Sequence, residues 1–200
     1  PLADFTIEIM NEYSTEENRL KIFGFWLFLG AEIMIFATLF TVYAILVNRT
    51  GAGPTGAEIF SMPGILAETF ILLASSFTIG ITVHAFRIGM TKAGINMLII
   101  TLVLGLAFVG IEVYEFFHYA HLGATFSASA FASSLLLTLG THGAHVTFGL
   151  FWGIAILVQL MKQGLNAQTA NKTFIFSLYW HFLDVVWIFI FSFVYLKGLM

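Results

Sequence analysis

The chain has 200 residues, 59% of them hydrophobic and 10% charged, with a mean hydropathy of +0.94 and a net charge of -3. Soluble domains carry about 25% charged residues, so this composition excludes one and points to a polytopic membrane protein. The absence of cysteine excludes a disulfide framework, a thiolate metal site and a thiol nucleophile, and the lack of a basic cluster argues against nucleic acid.

In chain order, residues 1–21 form a lead that is mostly acidic (Asp4, Glu8, Glu12, Glu16, Glu17), lacks the basic start of a secretory signal and is expected on the cytoplasmic side. Residues 22–200 then read as one domain. A first apolar run, about 22–47, is interrupted by Glu32, and a Gly/Pro-rich loop at 48–64 ends it. A second run, 65–88, carries Glu68 near its start and His84 near its end. The third, 95–117, ends in Glu112-Val113-Tyr114-Glu115 and leads into a small, polar stretch. The fourth, 131–161, holds His142, His145 and then Gly149-x-x-x-Gly153, a spacing that lets helices approach closely. The fifth, 174–196, contains Trp180-His181-Phe182-Leu183-Asp184-Val185-Val186-Trp187. Each run reaches the roughly 20 residues that a bilayer crossing needs. The expected fold is all-α, a bundle of five transmembrane helices.

Basic residues orient it. Arg19, Lys21, Arg87, Lys92, Lys162 and Lys172 fall on one side, and Arg49 and Lys197 on the other. The positive-inside rule then places the N-terminus in the cytoplasm and the C-terminus in the periplasm. Counting along the helices puts Glu32, His142, His145, His181 and Asp184 near the midplane, with Glu68, Glu112 and Glu115 toward the outer side. His181 and Asp184, three residues apart, share a face and are expected to interact.

Ionisable groups at membrane depth mark either interhelical ties or function. Four readings follow. The groups tie the helices together; or they hold two metals, for which only Glu115-x-x-His118 has the required pattern. Alternatively His142 or His145 ligates a haem together with His181, or Glu32, Asp184 and the histidines line the path of a stand-alone transporter or proton channel.

Longer motifs narrow the choice. Gly24-Phe25-Trp26 with Glu32, Glu68-Thr69-Phe70 with Ser75-Ser76, Gly140-Thr141-His142-Gly143-Ala144-His145-Val146 and the block from Trp180 to Trp187 stand in order along the chain. Together they resemble subunit III of the haem-copper respiratory oxidases over about residues 21–200. The five-helix length, the segment 48–60 and Glu112-Val113-Tyr114-Glu115-Phe116 are similar to the quinol-oxidising branch, above all the bacterial cytochrome bo-type ubiquinol oxidases.

The resemblance implies a multi-pass subunit of the bacterial inner membrane, without a catalytic centre, cofactor or metal of its own. Haems and copper belong to the partner subunit I, and ubiquinol is the substrate of the complex. Subunit I is the expected main contact in a hetero-oligomer with subunits II and IV and phospholipids. Glu32, Glu68, Glu112, Glu115, His142, His145, His181, Asp184 and Trp187 are then the expected buried polar network or lipid cleft.

Overall fold

The computed structural model describes residues 13, 15–51 and 53–196. Most of the acidic lead and Lys197 lie outside them. Helix α1 spans Glu16–Leu46, the single turn α2 Gly56–Ile59, α3 Met62–Arg87, α4 Thr91–His121, α5 Ala130–Gln163 and α6 Ala167–Phe189. The last continues as a π-helical stretch, Ile190–Leu196. There is no strand among the described residues, and five helices are long and apolar enough to cross a membrane.

The helices outrun the apolar runs because polar caps carry them past the hydrocarbon. The Thr15 hydroxyl accepts from the Asn18 amide and Ser129 from that of Ala132. At α6, Asn166 and Thr169 form a reciprocal capping box, so this helix begins seven residues before the apolar run at 174. Gly164, at φ 68°, turns the chain just after α5, a conformation that favours glycine.

Helix α6 is the centre of the bundle. It packs against α3, α5 and α1, while α4 closes the layer between α3 and α5. Helix α1 leans on α5 and α6 alone from one flank. The side chains that fill the middle are large and aromatic: Phe108, Phe131, Phe176, Tyr179, Trp180 and Trp187 are all buried. Glycines make the room for them. An added Cβ on Gly105 would stand 2.7 Å from Trp180, and one on Gly149 3.1 Å from the same ring. The Gly149-x-x-x-Gly153 motif therefore receives rings of α6, with Phe176 over Gly153, rather than a helix backbone. On the outside, Phe23, Trp26, Phe70, Phe77, Tyr114, Phe117 and Phe151 are exposed, the pattern of a surface covered by lipid or by other subunits.

The chain's outer loop locks onto the end of α6. Phe60, just after α2, meets Tyr195 edge-on at 4.9 Å, and the Tyr43 hydroxyl of α1 donates to the Val194 carbonyl at 3.1 Å. The π-helical pitch loosens the carbonyl ladder there, and a side chain from another helix supplies a donor.

Candidate functional site

The polar residues fall into three groups around α6. The first sits on the flank between α1 and α5. Glu32 Oε2 lies 2.9 Å from His145 Nε2, and His145 Nδ1 lies 2.7 Å from the Thr141 carbonyl. A carbonyl only accepts, so Nδ1 carries a proton. One further proton is then shared across the Nε2–Oε2 contact. The Tyr179 hydroxyl donates to the His145 backbone carbonyl at 3.0 Å, which ties α6 to the same point. A shallow hollow of about 220 Å³, lined by Phe28, Ala144, Phe148 and Tyr179, opens beside His145.

The second group is an aromatic box. His142 is fully buried, and its Nε2 donates to the Leu183 carbonyl at 3.2 Å. Its other nitrogen makes no hydrogen bond within the chain. Phe36, Phe108 and Trp187 surround the ring with centroids 5.3–6.5 Å away. Trp187 is anchored from the far side, where its indole N–H donates to Thr69 at 3.0 Å.

The third group lies between α3, α4 and α6. Glu68 is buried, neither of its oxygens makes a hydrogen bond to a described residue, and Glu112 and Glu115 are its carboxyl neighbours. Glu115 accepts from the Tyr119 hydroxyl at 2.7 Å. Glu112 also reaches across to α5. Its carboxylate packs against Gly143, next to His142. Side chains on a helix lean toward its N-terminus, and α4 starts on the side opposite the outer loops, so Glu112 leans back toward the middle. Asp184 and His181 do face each other, with Oδ2 3.9 Å from Nδ1. That distance is too long for a hydrogen bond. His181 Nδ1 instead meets the Ser76 hydroxyl of α3 at 2.7 Å, and that hydroxyl also neighbours the buried carboxyl of Asp184. His181 itself is not interior, since nearly half of its side chain is exposed.

Sequence reasoning did not single out Tyr119, Ser76 or the Thr141 and Leu183 carbonyls as partners. Tyr119 was accessible to it, because it stands four residues after Glu115 on the same face. The others join separate helices or are backbone groups, which residue spacing does not reveal.

Among the described residues no three His, Asp or Glu side chains converge as metal ligands would. In the only Glu-x-x-His pattern, Glu115 turns to Tyr119 while His118 stacks on Tyr114.

The model of the cytochrome c oxidase subunit III family matches residues 12–199. The chain belongs to this family. Two relatives named quinol oxidase subunit 3, from Bacillus spizizenii and Bacillus subtilis, are each 56% identical over 94% of this chain and 92% of their own length. A cytochrome c oxidase subunit 3 from Bacillus sp. strain PS3 is 45% identical over 93% of this chain and 90% of its own. These likenesses lend no support to a stand-alone transporter. Family membership makes the chain one subunit of a multi-subunit oxidase.

Proposed function

We propose that this chain is subunit III of a bacterial quinol oxidase, a scaffold subunit of the inner membrane. The complex oxidises quinol, reduces oxygen to water and moves protons outward, with haems and copper in its subunit I. This chain supports assembly, lipid binding and sustained turnover. It contacts subunit I chiefly, together with subunits II and IV. Its N-terminus lies in the cytoplasm, a topology supported by Arg19, Lys21, Arg87, Lys92, Lys162 and Lys172 at one end of the bundle.

The scaffold reading rests on how the core histidines are used. His142 and His145 direct ring nitrogens to helix carbonyls and to Glu32, which makes them ties between α1, α5 and α6. Glu32, Glu68, Glu112, Glu115, His142, His145, His181, Asp184 and Trp187 are on this reading structural residues of the polar network. The quinol assignment rests on the higher identity, 56% against 45%, to relatives named for quinol.

Purification of the tagged chain in mild detergent, followed by a reduced-minus-oxidised spectrum, tests it. Haem is expected to co-purify on larger subunits and to stay with them once this chain is stripped off. The stripped oxidase should start at a near-normal rate of quinol oxidation and lose activity sooner during turnover. A colourless, partner-free chain overturns the reading, and so does an oxidase that works equally long without it.

A further inference from the structure

Several polar groups on the bundle's outer surface are satisfied within the chain. Exposed hydroxyls on it close on their own helices: Thr38 donates to the Met34 carbonyl, Thr41 to that of Ala37 and Thr141 to that of Leu137, all at 2.7–2.9 Å. Glu32 and His145, at the α1–α5 edge, satisfy each other.

The groove between α3 and α6 is different. It is an open groove of about 490 Å³, lined by Ser76, Phe77, Gly80, His181 and, toward the end of α3, a second imidazole, His84. His181 reaches into it with its Nδ1 held by Ser76, leaving Nε2 with no hydrogen bond to any described residue. Behind it lies the buried carboxyl of Asp184, which neighbours the same Ser76 hydroxyl. His181 stands near the middle of the helix Ala167–Leu196, a depth where a span of this length is flanked by hydrocarbon, while His84 marks the groove's end near the terminus of α3. Hydrocarbon at that depth offers no hydrogen bond, so a lipid tail could fill the groove but would leave the imidazole unsatisfied. The shape suits a helix. Gly80 leaves a notch in the α3 surface, with nothing within 4 Å of where a Cβ would be, and small residues at such a notch let a neighbouring backbone come close. Phe77, one turn earlier, is 70% exposed and stands ready to pack on it.

We propose that the α3–α6 groove seats a transmembrane helix of another oxidase subunit, which brings a hydroxyl or amide side chain to His181 Nε2. This assignment rests on the subunit III reading and adds the face through which the chain docks. A second copy of this chain is a poor occupant, because its α1 and α4 would bring mainly apolar side chains such as Met34, Val103 and Leu106, and the exposed α1 hydroxyls, Thr38 and Thr41, already donate to their own helix carbonyls.

The chain contains no cysteine, so Phe77→Cys and Gly80→Cys each give it a single thiol. Val103→Cys, on the exposed face of α4, is the control. Each variant is loaded with a thiol-linked benzophenone in membranes holding the assembled oxidase, irradiated, and its adducts identified by mass spectrometry. The two groove variants should cross-link to another subunit in severalfold higher yield than the control. His181→Leu should lower, severalfold, the fraction of this chain that stays with the oxidase in detergent. Groove adducts to lipid only, or to a second copy of this chain, in a complex that is otherwise intact overturn the assignment and leave the subunit reading standing. A chain that co-purifies with no oxidase subunit overturns the subunit reading itself.

Discussion

Helix α1 and the four-helix layer α3–α6 use the same residue types and solve the same problem in opposite ways. In the layer, helices are brought together by glycine and aromatic rings: Gly105 and Gly149 lie under Trp180, and Gly153 under Phe176. Carboxyl groups are left there among apolar and aromatic neighbours, and Glu68 makes no hydrogen bond to any described residue. Along α1, Gly24 and Gly30 face open space, and attachment depends on a few specific polar ties, Glu32 to His145 and Tyr43 to Val194. Hydrogen bonds cross both, as from Trp180 to Ser75 and from Trp187 to Thr69 in the layer, but the layer adds rings seated on glycines, whereas the α1 glycines seat none and the flank relies more on its polar ties. In a membrane this division has a cause, because lipid competes well for apolar surface and poorly for a hydrogen-bonding partner.

The largest effect is expected from breaking the packing. Gly105→Val would place its Cβ 2.7 Å from Trp180 and 2.9 Å from Leu150. Trp180 has little freedom to move away, since its indole N–H donates to Ser75 at 2.9 Å. Overpacking of this kind costs about 1–3 kcal/mol. It should lower the midpoint at which sodium dodecyl sulfate releases and unfolds this chain in the purified complex. Gly30→Ala on α1 should leave that midpoint unchanged or raise it, because nothing lies within 4 Å and alanine is the better helix former. Equal losses at both positions would erase the contrast.

A double-mutant cycle on Glu32→Leu and His145→Leu, read in the same titration, sharpens the other half of the comparison. Interhelical hydrogen bonds in membranes couple by about 0.6 kcal/mol on average and up to about 1.7. A coupling near the top of that range is expected, because this is the side-chain tie that joins α1 to α5 at mid-depth. A coupling of about 3–5 kcal/mol would mean that truncating one partner strands a buried charge. No measurable coupling would mean that α1 is held by apolar contact like the other helices.

Much of this was legible in the sequence because each signal was local. Five apolar runs read directly as five helices, and the matching depths of Glu32 and the α5 histidines placed them at one level. Which histidine meets Glu32 was not legible. His142 and His145 stand three residues apart on one helix, and the choice depends on the rotation of α5 against α1, set by Phe36 and Trp187 packing around His142. His181 and Asp184 show the same limit. Their spacing put them on one face, but Ser76 from α3 took the hydrogen bond, and no pattern within α6 announces a partner on another helix. Helix ends also ran beyond the apolar runs, since caps such as Asn166 govern where a helix starts while hydropathy reports only where lipid begins.

The smallest effect, and the most informative in sign, is expected at Glu68. Truncating Glu32 removes a partner from His145, whereas Glu68→Leu removes a group that makes no hydrogen bond to a described residue and has Glu112 and Glu115 as neighbours. Replacing a buried polar group that lacks partners by an apolar one of similar size is close to neutral or stabilising. The release midpoint should therefore stay put or shift upward by the equivalent of at most about 1 kcal/mol, with the oxidase's initial rate retained. Opposite signs for two buried glutamates in one chain would establish that position, and not residue type, decides whether a carboxylate holds this bundle together. A loss at Glu68 larger than about 2 kcal/mol would instead show that its carboxyl is hydrogen-bonded where it is buried, by a water held between α3, α4 and α6.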